Sequence, residues 1–240
     1  MQPEDDPDAA WVQRLAACSA ESAAARLTEA SGEQALFRHL AREHAREGRR
    51  SYIEIDAPLE LYALARLLRP AHVLEVGVSS GVSSAYLLSA LHKNRRGVLH
   101  SIDLPKPPPK KRATPPRDSW SLPEGRRTGW AIPSALKDRW DLRLGDKRKL
   151  LPQLAQELPE VSLFVYDVPH DDADAGREFR AIDPLFPTGA VAIADHGPGG
   201  GLCAGLRRWA RQRGGEPLRR DGLGLYGFRC GRPTAASHRT

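Results

Sequence analysis

The chain is 240 residues long, with 40% hydrophobic residues, 28% charged residues and a net charge of +6. That length and balance predict one globular domain with an appendage, large enough to bury about 70% of its unfolded surface. No apolar run reaches the ~18 residues of a membrane span, the start Met1-Gln2-Pro3-Glu4-Asp5-Asp6 lacks the basic and apolar regions of a secretory signal, and three widely spaced cysteines (Cys18, Cys203, Cys230) offer neither a disulfide frame nor a zinc site; a cytoplasmic setting with reduced thiols and no membrane partner is expected.

Residues 9–47 are rich in Ala, Leu, Glu and Arg, with apolar positions at helical spacing, and Ser31-Gly32 divides them into two predicted helices. These helices, within residues 1–50, form an N-terminal helical cap, expected over the cofactor side of the core or against a second copy of the chain. A further helix over 57–69 stops before Pro70. From Ala71 the pattern alternates. Strands are predicted at 72–77, 98–103, 140–145, 162–167 and 189–195, and helices at 82–93, 147–157, 173–183 and 202–213. Short apolar strands separated by helices mean crossover connections and a parallel sheet. Leu218 and the run Gly222 to Arg229 predict two more strands joined by Arg219-Arg220-Asp221-Gly222, since Asp-Gly is a hairpin turn signal. The expected fold class is therefore α/β: a Rossmann-like, doubly wound, mostly parallel seven-stranded sheet that ends in an antiparallel hairpin, over residues 51–230. Residues 231–240 are expected to form a disordered tail. Residues 105–118 hold six prolines and five basic residues and predict an exposed loop.

The most informative segment is Val73-Leu74-Glu75-Val76-Gly77-Val78-Ser79-Ser80-Gly81-Val82-Ser83-Ser84, followed by Gly97-Val98-Leu99-His100-Ser101-Ile102-Asp103. A strand, a glycine turn opening a helix, and a second strand closed by a carboxylate make a nucleoside-binding unit, in which the second acid can take two hydrogen bonds from a ribose diol. A dinucleotide fingerprint requires G-x-G-x-x-G so that a pyrophosphate reaches the helix N-terminus. This chain reads G-x-x-x-G, with Ser79 where the middle glycine would stand. Glu75 suits a cationic or amine-bearing ligand better than a pyrophosphate. S-adenosylmethionine carries a sulfonium, an amino group and no phosphate, so it fits better than a nicotinamide or flavin cofactor. A structural βαβ unit without ligand is the remaining alternative.

Two stretches are basic. Pro105 to Arg127 holds seven Lys or Arg against two acids, and Arg207 to Thr240 holds nine Arg against two. Neither carries the interleaved aromatics of a nucleic-acid platform, so they read first as solvated faces.

The segments Trp120-Ser-Leu-Pro-Glu-Gly-Arg-Arg-Thr-Gly-Trp130-Ala-Ile-Pro133, Arg139-Trp140-Asp141-Leu-Arg-Leu-Gly145-Asp146, Tyr166-Asp167-Val-Pro-His170 and Ala194-Asp195-His196, with the glycine turn, resemble the class I S-adenosylmethionine-dependent methyltransferases of the small bacterial O-methyltransferase-like group. The resemblance runs from about residue 51 to 213. It implies donor contacts at Glu75, Gly77, Ser79, Gly81 and Asp103, and a Gly145-Asp146 turn that passes the adenine. Asp146 also reads as the N-cap of helix 147–157. Asp167 is a candidate anchor for the donor's ammonium. Trp130, in a Pro/Gly-bounded loop, is a candidate wall of the donor pocket; Trp120 and Trp140 are weaker ones.

Asp167 with His170, and Asp195 with His196, follow strands that reach the same sheet edge. Two mechanisms use them. In one, His170 or His196 is the general base that deprotonates an acceptor hydroxyl as it attacks the methyl carbon, with Asp195 orienting it. In the other, Asp167, Asp195 and His196 hold Mg²⁺, which acidifies the acceptor. Imidazole is a poorer magnesium partner than an oxygen ligand. The chain is thus expected to methylate an oxygen of a small-molecule or peptide-derived acceptor in bacterial secondary metabolism. Methylation of RNA or another polyanion, and a catalytically inactive donor-binding partner, are the alternatives.

Overall fold

The computed structural model describes residues 6–47, 58–104, 122–168, 172–195, 201–220 and 224–232. In chain order the helices are α1 (Pro7–Ala16), α2 (Ala20–Ser31), α3 (Gln34–Arg46), α4 (Pro58–Leu68), α5 (Val82–Asn94), α6 (Lys147–Glu157), α7 (Asp172–Ile182) and α8 (Ala204–Gln212). The strands are β1 (His72–Val76), β2 (Val98–Asp103), β3 (Trp140–Leu144), β4 (Leu163–Tyr166), β5 (Val191–Asp195), β6 (Leu218–Arg220) and β7 (Leu225–Arg229). Every strand expected from the alternating pattern is present, with ends shifted by a residue or two. The sheet order is β3-β2-β1-β4-β5-β7-β6. Five strands are parallel, β7 runs antiparallel to β5, and β6 runs antiparallel to β7. This is the mostly parallel seven-stranded sheet with a terminal hairpin. Arg219 and Arg220, expected in the hairpin turn, instead belong to β6, where they pair with Tyr226 and Leu225. The turn residues Asp221 and Gly222 lie outside the described residues.

Two cores form because strand side chains alternate between faces. Val73, Leu99, Leu163 and Val191 pack with α1, α2, α4 and α5 on one face. Leu74, Ile102, Phe164 and Ala192 pack with α6, α7 and α8 on the other. Phe164, Phe179, Phe186 and Trp209 form an aromatic cluster on that second face, with ring centroids 5.0 to 6.2 Å apart.

The N-terminal segment holds three helices where two were expected. Ala17 takes a left-handed conformation (φ 53°), and Ser19 caps α2 by accepting from Ser22 N at 3.1 Å. Ala-rich propensity does not register that break, although a serine N-cap is its local signal. The Ser31-Gly32 division stands between α2 and α3. α1 lies directly on the hairpin. A Cβ on Gly227 would come within 2.7 Å of Leu15 Cδ1 and 2.9 Å of Trp11 Cζ2. Trp11 Nε1 donates to Leu218 O at 3.1 Å.

A buried ion pair joins α6 to α7 beneath the end of β4. Lys147 Nζ donates to both oxygens of Glu178 and to Tyr166 Oη, each at 2.7 Å, and Tyr166 Oη donates to Glu178 Oε2 at 2.5 Å. Glu178 is 3% exposed. Removing one partner of such a pair strands the other charge, which costs about 3–5 kcal/mol. Lys147→Met is expected to lower the thermal midpoint by about 2–4 °C for each kcal/mol lost. A melt that coincides with that of the unmutated chain would show that the pair contributes nothing to stability.

Candidate functional site

The parallel register brings one residue from each of five neighbouring strand ends into a row. Gly145 N donates to Asp103 O at 2.9 Å, Gly77 N to Ile102 O at 2.9 Å, and Asp167 N to Val76 O at 2.8 Å. Tyr166 pairs with Ala194, which places Asp195 beside Asp167. Along the C-terminal edge the sequence is thus Gly145, Asp103, Gly77, Asp167, Asp195. At one strand spacing per step, Asp103 and Asp195 stand roughly 14 Å apart. The connections diverge on either side of β1, and such a switch point is where open α/β sheets bind ligands.

The glycine turn is shaped by the chain's own packing. Gly77 (φ +98°) lies so close to β4 that an added Cβ would fall 1.9 Å from Asp167 O. Gly81 (φ +91°) opens α5, and an added Cβ would meet Ile132 Cγ1 at 2.5 Å. Both positions therefore require glycine, whatever ligand is present. Ser79 also takes a left-handed conformation, φ 51°.

Glu75 does not face open space. Its carboxylate is fully buried: Oε1 accepts from Ser83 Oγ, and Oε2 from Ser84 Oγ and Ser101 Oγ, all at 2.7 Å. Burial pushes this carboxyl upward in pKa, and the three serine hydroxyls oppose the shift. The acid expected to meet a cationic ligand is enclosed here by α5 and β2.

Asp103 is half-buried and points into the turn. Its Oδ1 accepts from Val78 N at 3.3 Å and its Oδ2 from Thr128 Oγ1 at 2.7 Å. Asp146 caps α6 by accepting from Arg148 N at 2.9 Å, and the Arg148 side chain grips both its oxygens. Those Arg148 contacts, the side chain's foremost, hold the Asp146 carboxyl down to about 2. Asp167 is exposed at the sheet edge yet ringed by protein. That enclosure, with the charges of Asp195 and Glu75, pushes its carboxyl up to about 7.

Residues 122–133 lie over the turn. Gly129 N donates to Ser79 O at 2.9 Å and Ala131 N to Ser80 O at 3.0 Å. On the far side, His39 Nε2 sits 3.2 Å from Ala131 O, and Arg126 pairs with Glu47 and Glu43 of the α3 region. Trp130 packs its ring against His44 at 4.9 Å, under the Arg126 guanidinium at 5.1 Å. Trp130 is thus wedged between α3 and its own loop. Trp140 donates from Nε1 to Ser101 Oγ at 2.9 Å. Thr128, the three serines around Glu75 and the Lys147–Glu178 pair carry no motif that a single sequence displays.

His170, His196 and Trp120 lie outside the described residues, as do most of the proline-rich loop and the glycine run after His196. Among the described residues no group of three or more His, Cys, Asp or Glu is placed to hold a metal ion. The structure brings together two of the three expected magnesium ligands, Asp167 and Asp195. No described helix is long and apolar enough to cross a membrane. Cys203 caps α8 by accepting from Leu206 N at 3.3 Å, while burial pushes the Cys230 thiol up to about 11. Two shallow cavities of about 420 and 390 Å³ flank α8. None of the residues expected to bind the donor lines either one.

The model of the methyltransferase domain family matches residues 74–196, just over half of the chain and the span from β1 to the end of β5. None of the curated proteins matches the chain. Among solved structures it resembles an O-methyltransferase from Bacillus cereus in complex with SAH (15% identity, 82% of this chain and 91% of that one, TM-score 0.54). It also resembles the O-methyltransferase TomG from Streptomyces achromogenes, involved in tomaymycin synthesis and in complex with SAM (19% identity, 82% and 89%, TM-score 0.53). At that identity the likeness shows the fold, which has the sheet and hairpin described above. With its family match spanning the strands that carry the row of site residues, the chain belongs to the methyltransferase domain family.

Proposed function

We propose that this chain transfers a methyl group from S-adenosylmethionine to an oxygen of a small-molecule or peptide-derived acceptor, in bacterial secondary metabolism. The observation that carries the reading is the row Gly145, Asp103, Gly77, Asp167, Asp195 at the switch point. Asp103 takes the ribose, and the donor's methionine end runs over Gly77 toward Asp167, whose carboxylate faces its ammonium. The adenine lies by Gly145 and Asp146. Ser79 and Gly81 shape the turn beneath the nucleoside, and Trp130 supports the loop above it. The involvement of TomG in tomaymycin synthesis supports the setting.

The chemistry is an SN2 displacement. The acceptor oxygen attacks the methyl carbon, the C–S bond breaks, and the electron pair stays on sulfur as a neutral thioether. The acceptor's proton passes to a base. His170 and His196 follow β4 and β5 closely enough in sequence to serve, and Asp195, at the end of β5, orients the base or the acceptor. This reading runs without a metal ion. Activity is expected to survive EDTA; loss on chelation, restored by Mg²⁺, would reassign Asp167 and Asp195 to a cation.

Titration calorimetry with S-adenosylhomocysteine tests the donor assignment. Micromolar binding is expected, weakened at least about tenfold by Asp103→Ala, which removes two hydrogen bonds to a charged acceptor. No heat at millimolar ligand would overturn the assignment and with it the inactive-partner alternative, which also binds donor.

The Asp167 carboxyl, raised to about 7, predicts a pH dependence of definite sign. It is protonated at about pH 6 and ionised at about pH 8, and only the ionised form attracts an ammonium. S-adenosylhomocysteine is expected to bind several-fold more tightly at the higher pH. Asp167→Asn should weaken binding and flatten the profile. A flat profile in the unmutated chain would remove Asp167 from the ammonium site. The same raised value favours the donor-free fold at low pH: its stabilising contribution is complete below about pH 4 and lost as pH rises through about 7.

A further inference from the structure

We infer that Thr128 is a positioning residue for donor binding, holding the Asp103 carboxylate in the orientation that receives the ribose diol. The inference rests on the donor reading above and extends it to a residue outside the nucleotide-binding unit. Asp103 and Thr128 are separated by 25 positions, and the contact is made across the turn between β2 and the 122–133 loop.

The geometry is specific. An ionised carboxylate offers about four acceptor sites, two on each oxygen. Val78 N occupies one on Oδ1 at 3.3 Å, and Thr128 Oγ1 occupies one on Oδ2 at 2.7 Å. One site on each oxygen remains, which matches the two donors of a ribose 2′,3′-diol. Of the two protein contacts the threonine's is much the shorter, so it contributes most to fixing the carboxylate's rotation. Without it, the half-exposed side chain regains rotamer freedom that binding must remove, a penalty worth about threefold to tenfold in affinity.

Thr128 is itself held firmly. It is 6% exposed. Its neighbour Gly129 donates to Ser79 O, and Ala131 donates to Ser80 O, so the loop and the glycine turn are joined by two backbone bonds. Ile132 fills the space above Gly81, where no Cβ fits. Arg126, two residues earlier, is tied to Glu47. The hydroxyl is thus delivered to Asp103 by a segment anchored both to the turn and to α3. It also places a reason for the N-terminal helices within the donor site: α3 holds the loop that holds the acid.

The test is a double-mutant cycle read by calorimetry with S-adenosylhomocysteine. Thr128→Val keeps the branched shape and removes only the hydroxyl; Thr128→Ser keeps the hydroxyl. Expected are a loss of about fivefold for Thr128→Val, recovery to within about twofold for Thr128→Ser, and no further loss when Thr128→Val is added to Asp103→Ala. Unchanged or tighter binding by Thr128→Val overturns the inference. So does a fivefold loss that persists in the Asp103→Ala background, because a purely structural effect would not act through Asp103. A thermal melt of Thr128→Val without ligand, expected within a few degrees of the unmutated chain, separates a local effect from misfolding; a collapse of the melt overturns the positioning role. Failure of the unmutated chain to bind would be read from that chain alone, and would remove the donor assignment on which this inference stands.

Discussion

The buried carboxylate of Glu75 fixes the geometry on which the site depends. A carboxylate removed from water is expensive unless each oxygen finds donors, and here three serine hydroxyls converge on it from α5 and β2. Ser101 in turn accepts from Trp140 Nε1, so the chain of hydrogen bonds reaches β3. In a low-dielectric core such a network is strong when complete and costly when broken. Its effect is to clamp β1, β2 and the first turn of α5 in one arrangement. The five residues from Gly77 to Gly81 must then close a fixed gap, and they do so with three left-handed conformations, at Gly77, Ser79 and Gly81.

That clamp changes the meaning of the glycines. A glycine turn between a strand and a helix is ordinarily read as room for a ligand. In this chain Gly77 makes room for the backbone of Asp167, and Gly81 for Ile132. The ligand's space is bounded indirectly. Close approach of β4 to Gly77 brings Asp167 to the switch point, and close approach of Ile132 to Gly81 brings Thr128 to Asp103. The residues proposed to meet the donor are thus positioned by close packing around two glycines of the turn.

The strands, their parallel order and the terminal hairpin were legible because apolar runs of five or six residues alternate with helical patterns, and that alternation admits few topologies. The acids at strand ends were legible for the same reason: Asp103, Asp167 and Asp195 each close an apolar run. What sequence could not reveal depends on contacts between distant segments. Glu75 looked like a ligand-facing acid because nothing local shows that Ser83, Ser84 and Ser101 surround it. Thr128 sits in a Pro/Gly-bounded loop with no periodicity, so its partner Asp103 emerges only when the loop folds back. The break after Ala16 was hidden by helix propensity on both sides of it. Asp146 was ambiguous between a cap and a ligand contact; its cap is visible, and its oxygens are already engaged by Arg148.

The basic stretches illustrate how charge counted along a chain differs from charge presented on a surface. Arg126 pairs with Glu43 and Glu47. Arg213 is buried, 3.5 Å from Asp183, and donates to the Phe186 carbonyl. Arg220 pairs with Asp8 and Glu60, tying the hairpin to α1 and α4. Arg229 donates to Leu15 O at 3.0 Å. These guanidiniums are forks that fasten elements remote in sequence, a use that suits arginine's several fixed donors. What the C-terminal stretch still presents on α8 is Arg207, Arg208 and Arg211, all exposed and, among the described residues, without a carboxylate partner. Affinity for a polyanion grows with the number of phosphates neutralised, and sequence-tolerant binding of single strands adds stacked aromatics. Among the described residues, Arg219, Arg232 and Glu216 are exposed beside these three arginines, a mixed surface with no exposed aromatic ring next to it. Arg126, Arg213, Arg220 and Arg229 are thus spent on fastening the fold, so the charge that the described surface presents is smaller than the linear count.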